Sequence, residues 1–191
     1  IPARQMPAAA GQAPAMSLGD MMLAVLTSVI WGLAFAATKF GLQSFSAPVL
    51  AALRFLIVCP LVLLVPRPPI AWRLLVLIGL TLFTGQFLLL FFAFKVGMPP
   101  GLASVSQQVQ AFFTVLLAAC FLRDRPKPQQ ITGMIAAFGG LALIGLTLGG
   151  DLRPMALGLA LVGALSWAIG NVLVKHVRHV PTFPLVVWAR L

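Results

Sequence analysis

Six apolar runs of roughly 17–25 residues follow one another with little between them, and each is long enough to cross a bilayer as one helix. They cover about 21–38, 48–65, 74–94, 102–122, 130–148 and 156–174, and a seventh begins at Pro184. Hydrocarbon offers no partner to a free N–H or C=O, so each run must close its own backbone bonds. The fold class that follows is all-α integral membrane, a multi-span helical bundle. The connectors SFSAP, PRPP, GMPPG, RPKP, GGDLRP and HVPTFP carry the breakers. Proline at a helix start is tolerated, since its missing N–H would be unpaired there anyway.

Composition agrees. The chain is 61% hydrophobic and 8% charged, where a soluble domain carries about 25% charged residues. Mean hydropathy is +1.06. The net charge of +10 is no nucleic-acid signature: the basic residues are spread over loops and helix ends rather than gathered on one face. The expected partners are the lipid bilayer and a small solute, with no nucleic acid. Cys59 and Cys120 fall inside apolar runs and read as packing residues. Residues 1–17 are rich in Ala and Pro and lack the apolar stretch of a signal peptide. They read as a disordered tail. Met16 before SLGD reads as a natural start, with read-through upstream sequence or a fragment as the two accounts of the rest.

Loop charge sets orientation. Loops after runs two, four and six carry Arg67, Arg73, Arg123, Arg125, Lys127, Lys175 and Arg178. Those after runs one, three and five carry Lys39, Lys95 and Arg153, offset by Asp151. The positive-inside rule puts the first group, and the N-terminus, in the cytoplasm. A repeat then adds direction. Trp31, Lys39, Pro48 and Arg54 recur as Trp167, Lys175, Pro184 and Arg190, every pair 136 positions apart. That offset holds five spans, an odd number, so the second copy enters the membrane upside down. Inverted repeats around a midplane site are a transporter architecture. The expected organisation is a first five-helix unit at 18–150 and the start of a second at 155–191, with about ten spans in full and six to seven here.

Polar residues inside spans are costly and therefore informative. Run four carries Ser106, Gln107, Gln110 and Thr114 in one arc at about 100° per residue, with Ser104 and Gln108 beside it. Gln86 lies in run three and Asn171 in run six, one turn from Trp167. Ser28, Trp31, Phe35 and Thr38 form a stripe on run one. Interhelical hydrogen bonding explains any one of these. A hydrated path explains the cluster better. Arg54 lies about 9 Å into its run, at 1.5 Å per residue, where it either snorkels to the interface or faces the path. Lys39 and Lys175 end their runs on opposite sides, as interface anchors or as cationic mouths. Trp72 and Trp188 read as interface-belt residues. Run five pairs Gly133 with Ala137, Ala136 with Gly140 and Gly145 with Gly149, which predicts close helix packing. Gly158, Gly163 and Gly170 in run six predict packing or a loosened helix. The candidate solute path is thus Trp31, Thr38, Lys39, Arg54, Gln86, Ser106, Gln107, Gln110, Thr114, Trp167, Asn171 and Lys175.

The acids are Asp20, Asp124 and Asp151, all at run ends or in loops, and glutamate is absent. No run therefore holds a carboxylate for a proton relay, and proton coupling stays open. No nucleophile–base pair, metal-ligand spacing or phosphate loop is present. No enzyme activity, cofactor or metal is expected.

At these residues the chain resembles a known family. IWGLAFAATKFGLQSFSAPVLAALRFL resembles the opening of EamA-domain proteins of the drug/metabolite transporter superfamily. GMPPGLASVSQQVQAFFTVLLAACFLRDRPKPQQITGMIAAFGGLALIG resembles their fourth and fifth spans, and ALSWAIGNVLVKHV the start of their second domain. The resemblance covers 18–191. It implies a ten-helix bacterial inner-membrane exporter working by alternating access. The set is most like members linked to efflux of O-acetylserine and cysteine. Two departures stand out: Arg123-Asp124-Arg125 replaces the family's Gly-Glu-Arg, and the last four spans are missing. Export of another solute, such as an aromatic amino acid or a toxic amphiphile, is a second reading. A non-transporting scaffold or an inactive fragment is a third.

Overall fold

The computed structural model describes residues 17–122, 124, 126–147 and 153–190, with the backbone alone at 141 and 144–147. The tail at 1–16, Arg123, Arg125, the Gly145–Gly149 pairing and Asp151 lie outside the described residues. Seven segments succeed one another: α1 Leu18–Ser44, α2 Ala47–Leu63, α3 Trp72–Lys95, α4 Pro100–Leu122, α5 Pro128–Thr147, α6 Pro154–His176 and α7 Thr182–Trp188. The described residues are all helix and connector, with no strand. α1, α3, α4 and α6 are long and apolar enough to cross a membrane. The chain is a multi-span membrane bundle.

Local chemistry explains the ends and breaks. Ser17 and Asp20 form a capping box on α1: each side chain accepts from the other residue's main-chain N–H, both at 3.1 Å. Pro48, Pro100 and Pro154 sit in first turns. α2 is α-helical to Leu56 and 3₁₀-helical over Cys59–Leu63. Pro60 has no N–H to return to Leu56, so the α ladder ends there. The 3₁₀ turn rises about 2.0 Å per residue and stretches a segment shorter than the predicted span. Gly97, at φ +108°, makes the turn between α3 and α4, a conformation glycine adopts without strain.

α6 is the central helix, packed on α3 and α4. Ala156, Ala160, Ala164 and Ala168, spaced by four, are all fully buried. Two of its glycines admit close backbone approach. A Cβ at Gly163 would lie 3.2 Å from the Gln86 carbonyl oxygen, and one at Gly170 2.7 Å from Leu82 Cβ. The packing reading of those two glycines is therefore the one the fold adopts, while Gly158 faces open space.

Where α6 presses closest, α3 changes its winding. Leu80–Gly85 is a π-helical turn, and such turns leave a carbonyl without its usual α-helical donor. Ser166 Oγ donates to the Thr81 carbonyl at 2.7 Å.

One expectation fails. A Cβ added at Gly133 or Gly140 in α5 would meet nothing within 4 Å, and Ala136 and Ala137 are exposed. The small-residue stripe does not pack against the described helices. α5 instead meets α4 through Phe112 and Phe138, ring centroids 5.4 Å apart, and two rings hold backbones apart where glycines would let them close. The exterior is apolar: Leu23, Leu26, Ile30 and Leu33 of α1 are all more than half exposed, as lipid-facing residues are.

Candidate functional site

Trp31 and Trp167, related by the 136-residue offset, meet near the middle of α1 and α6. Their ring centroids are 5.9 Å apart, tilted by 56°. Phe87 of α3 packs on Trp167 at 6.4 Å. The Arg54 guanidinium lies over the Phe87 ring, 4.3 Å from its centroid. The Arg190 guanidinium lies over Phe83 at 4.7 Å. The second repeat pair, Arg54 and Arg190, thus converges on one aromatic ledge built by α3.

Two cavities adjoin the tryptophan pair, and both rings line both of them. One, about 510 Å³, is walled by Thr27 and Ser28 of α1, Gln86 of α3, and Gln107, Gln108 and Gln110 of α4. The other, about 440 Å³, is walled by Arg54, Phe83, Phe87, Asn171 and Arg190. A gap of about 20 Å³ lies among Trp31, Thr38, Arg54, Gln86 and Phe87. Walls of aromatic rings with a few directed polar groups are typical of small-molecule cavities.

The predicted arc of α4 divides into two polar relays. Gln86 Nε2 donates to Gln107 Oε1 at 3.1 Å, and Gln107 Nε2 donates to the Ala160 carbonyl at 3.0 Å. Further along α4 and α6, Asn171 Nδ2 donates to Gln110 Oε1 at 3.0 Å and to Thr114 Oγ1 at 3.3 Å. Ser106 is fully buried and donates to the Ala103 carbonyl at 3.0 Å within its own helix. Thr38 does the same to Ala34 at 2.7 Å. The polar groups pin helices together, and Gln86, Gln107, Gln108 and Gln110 also line the larger cavity.

Five predicted path residues line neither large cavity: Thr38, Lys39, Ser106, Thr114 and Lys175. Thr38 borders only the small gap, and Lys39 is exposed on α1. The Lys175 ammonium ion-pairs with Asp124 in the turn after α4. The hydrogen bond and charge of Lys175 hold the Asp124 carboxyl below the usual carboxylate range. The Asp that replaces the expected Glu thus has a partner on α6. Trp72 and Trp188 meet at 6.0 Å, and Trp188 Nε1 donates to the Val65 carbonyl at 2.9 Å. These contacts tie α7 to the start of α3 and to the segment after α2.

Phe87, Phe83 and Ser166 carry much of this geometry, and the sequence does not single them out. Phe among many Phe gives no signal, although the aromatic density of QFLLLFFAF is itself unusual. Lys95, whose ammonium donates to the Leu42 carbonyl and ties α3 to α1, reads in the sequence only as a loop charge. Among the described residues no group of three or more His, Cys, Asp or Glu side chains gathers.

Residues 19–146 match the EamA-like transporter family. The chain is 43% identical over 183 residues to a "Probable amino-acid metabolite efflux pump" of Salmonella typhimurium, a match covering 92% of this chain and 61% of the relative. It is 41% identical, with the same coverage, to the protein of that name in Escherichia coli K12. A "Probable terminal-alkyne amino-acid exporter" of Streptantibioticus cattleyicolor is 31% identical over 171 residues, 85% of this chain and 54% of that one. The chain thus spans about 61% of the length of the first two relatives. No solved structure matches. With about two thirds of its length inside the family's domain and a bundle of the expected kind, the chain belongs to the EamA-like transporter family.

Proposed function

We propose that the protein is a secondary transporter that exports small amino-acid-type metabolites across the bacterial inner membrane by alternating access. The observation that carries the reading is the Trp31–Trp167 pair, whose rings line both a cavity of about 510 Å³ and one of about 440 Å³. A contact shared by two chambers is where a two-state path would open on one side and close on the other. The two tryptophans occupy equivalent places in the proposed repeats, 18–150 and 155–191. Rocking one repeat on the other would move them relative to each other. The loop charges favour a cytoplasmic N-terminus. The relatives' printed names, an amino-acid metabolite efflux pump and an amino-acid exporter, support the solute class.

Uptake of radiolabelled cysteine or O-acetylserine into inverted membrane vesicles bearing the full-length protein tests this. Accumulation above empty-vector vesicles is expected, with a fall of at least about tenfold for Trp31→Ala at unchanged expression. Vesicles that accumulate neither solute sink the reading. A second reading, export of aromatic amino acids, is favoured by the ring-rich wall of Trp31, Phe83, Phe87 and Trp167. Labelled phenylalanine taken up in preference to cysteine would select it.

A further inference from the structure

Gln86 is 2% exposed, and its amide orientation follows from its neighbours. A main-chain carbonyl can only accept a hydrogen bond. Gln107 must therefore turn its NH₂ toward Ala160 and keep Oε1 as an acceptor. Gln86 must answer that acceptor with its own NH₂. The relay ends on Gln86 Oε1, which is buried and has no hydrogen-bond partner among the described residues. Burying a lone acceptor is unfavourable unless a donor arrives. The donor this position lacks is one a solute can bring.

The complementary group is nearby. Arg54 and Arg190 line one cavity and lean on the adjoining rings of Phe87 and Phe83. Arg190 Nε is buried without a partner among the described residues. No acid among those residues serves them: Asp124 is paired with Lys175, and Asp20 is held by Ser17. Glutamate is absent from the chain. Two guanidinium forks in an apolar setting favour a planar anion that both can grip. Arg54 and Gln86 also share the gap of about 20 Å³ with Trp31, which is the room one ammonium-sized group needs, and an indole face attracts a cation.

We infer that the cavity of Arg54 and Arg190, together with the small gap where Arg54 and Trp31 adjoin Gln86, recognises the zwitterionic head of an α-amino acid, with Arg54 and Arg190 on the carboxylate and Gln86 Oε1 on the ammonium. The inference takes its solute class from the proposed function and is independent of the direction of flux. It leaves the amino acid's side chain to the two tryptophan-lined chambers, whose volumes of about 510 and 440 Å³ hold far more than a cysteine side chain. Head-group selection is therefore strict and side-chain selection loose.

The test is competition against labelled L-cysteine bound to the purified full-length protein in detergent. The competitors are S-methyl-L-cysteine, with the head intact; L-cysteine methyl ester, without the carboxylate; and N-acetyl-L-cysteine, without the ammonium. S-methyl-L-cysteine is expected to compete within about threefold of cysteine, and the other two at least about tenfold more weakly. Gln86→Leu should erase the penalty on the N-acetyl compound, and Arg54→Gln or Arg190→Gln that on the ester, with Arg54→Lys restoring part of it. An ester or N-acetyl compound that competes as well as cysteine overturns the assignment, and so does failure to bind cysteine. These arms use the unaltered protein, so they stand even where a variant does not fold. Binding with the expected preferences but no accumulation in inverted vesicles sinks the export reading alone. Accumulation with equal competition by the ester sinks the head-group assignment alone.

Discussion

Gly170→Ala and Gly158→Ala place the same methyl group on the same helix in opposite surroundings. Each removes glycine's conformational freedom and should gain up to about 1 kcal/mol from helix propensity. At Gly158 nothing lies within 4 Å of the new Cβ. At Gly170 the new Cβ would stand 2.7 Å from Leu82 Cβ, 2.8 Å from its Cα and 2.9 Å from its nitrogen, where ordinary contacts are 3.4–4 Å. Two of those three atoms are backbone, in the π turn of α3, and cannot swing aside as a side-chain tip would. Overpacking of this kind costs about 1–3 kcal/mol. The propensity gain cancels between the two variants, so their difference isolates the steric cost. A gap of about 1–3 kcal/mol corresponds to roughly 2–4 °C per kcal/mol for a chain of this size. The thermal midpoints of the full-length variants in detergent, read by fluorescence-detected size exclusion, should therefore differ by several degrees. Gly158→Ala should lie at or above the parent and Gly170→Ala below it, with Gly170→Val lower still. Equal midpoints would show that α3 and α6 separate freely at this level, and the close-approach argument would be refuted.

Gln107→Leu should destabilise by about 1–3 kcal/mol, because it strands the Gln86 NH₂ and removes the second hydrogen bond to the Ala160 carbonyl. Gln108→Ala, at an exposed cavity position, should leave the midpoint unchanged while altering uptake. Ser166→Ala should cost about 0.6–2 kcal/mol by removing the donor to Thr81. The same change should partly rescue Gly85→Ala, whose Cβ would otherwise meet Ser166 Oγ at 2.6 Å; a midpoint for the double variant equal to the sum of the singles would count against that contact. Asp124 has a folded pKa held down by Lys175, so its contribution is present above the unfolded carboxylate value of about 3.9 and is lost as pH falls through the lower folded value. Thermal midpoints measured across acid pH should show that loss in the parent and not in Asp124→Asn, and added salt should shrink it.

The spans were legible because hydrocarbon imposes one rule on every backbone group, and runs of apolar residues obey it visibly. Their irregularities were legible only in part. Pro60 marks the break in α2, yet it sits inside an apolar run read as one span. The π turn at Leu80–Gly85 has no comparable local mark, and its partner Ser166 lies on α6, a helix far along the chain. The polar cluster of α4 was legible as a set, because glutamine in a span is costly wherever it occurs. Which neighbour each glutamine would bind was not, since Gln107 and Gln110 lie on one arc and the choice depends on where Gln86, Ala160 and Asn171 fall.

The repeat carried more than either. It linked Trp31 with Trp167 and Arg54 with Arg190 by type and offset, but offset alone says nothing of distance. Contact follows if the two copies pack face to face about a common axis. Residues close to such an axis meet their own mates, and residues far from it are carried to opposite ends. Trp31 meets Trp167, and Arg54 and Arg190 share a wall. No contact joins Lys39 to Lys175 among the described residues: Lys39 is exposed on α1, and Lys175 pairs with Asp124 in the turn after α4. This sorting fits an axis that passes between the tryptophans. On that geometry a substitution near the axis perturbs both chambers together, whereas one at a lysine perturbs a single end. Trp31→Ala and Trp167→Ala should therefore impair uptake to a similar degree, while Lys39→Met and Lys175→Met should differ from each other. A large inequality between the two tryptophan variants, at matched expression, would place the axis elsewhere.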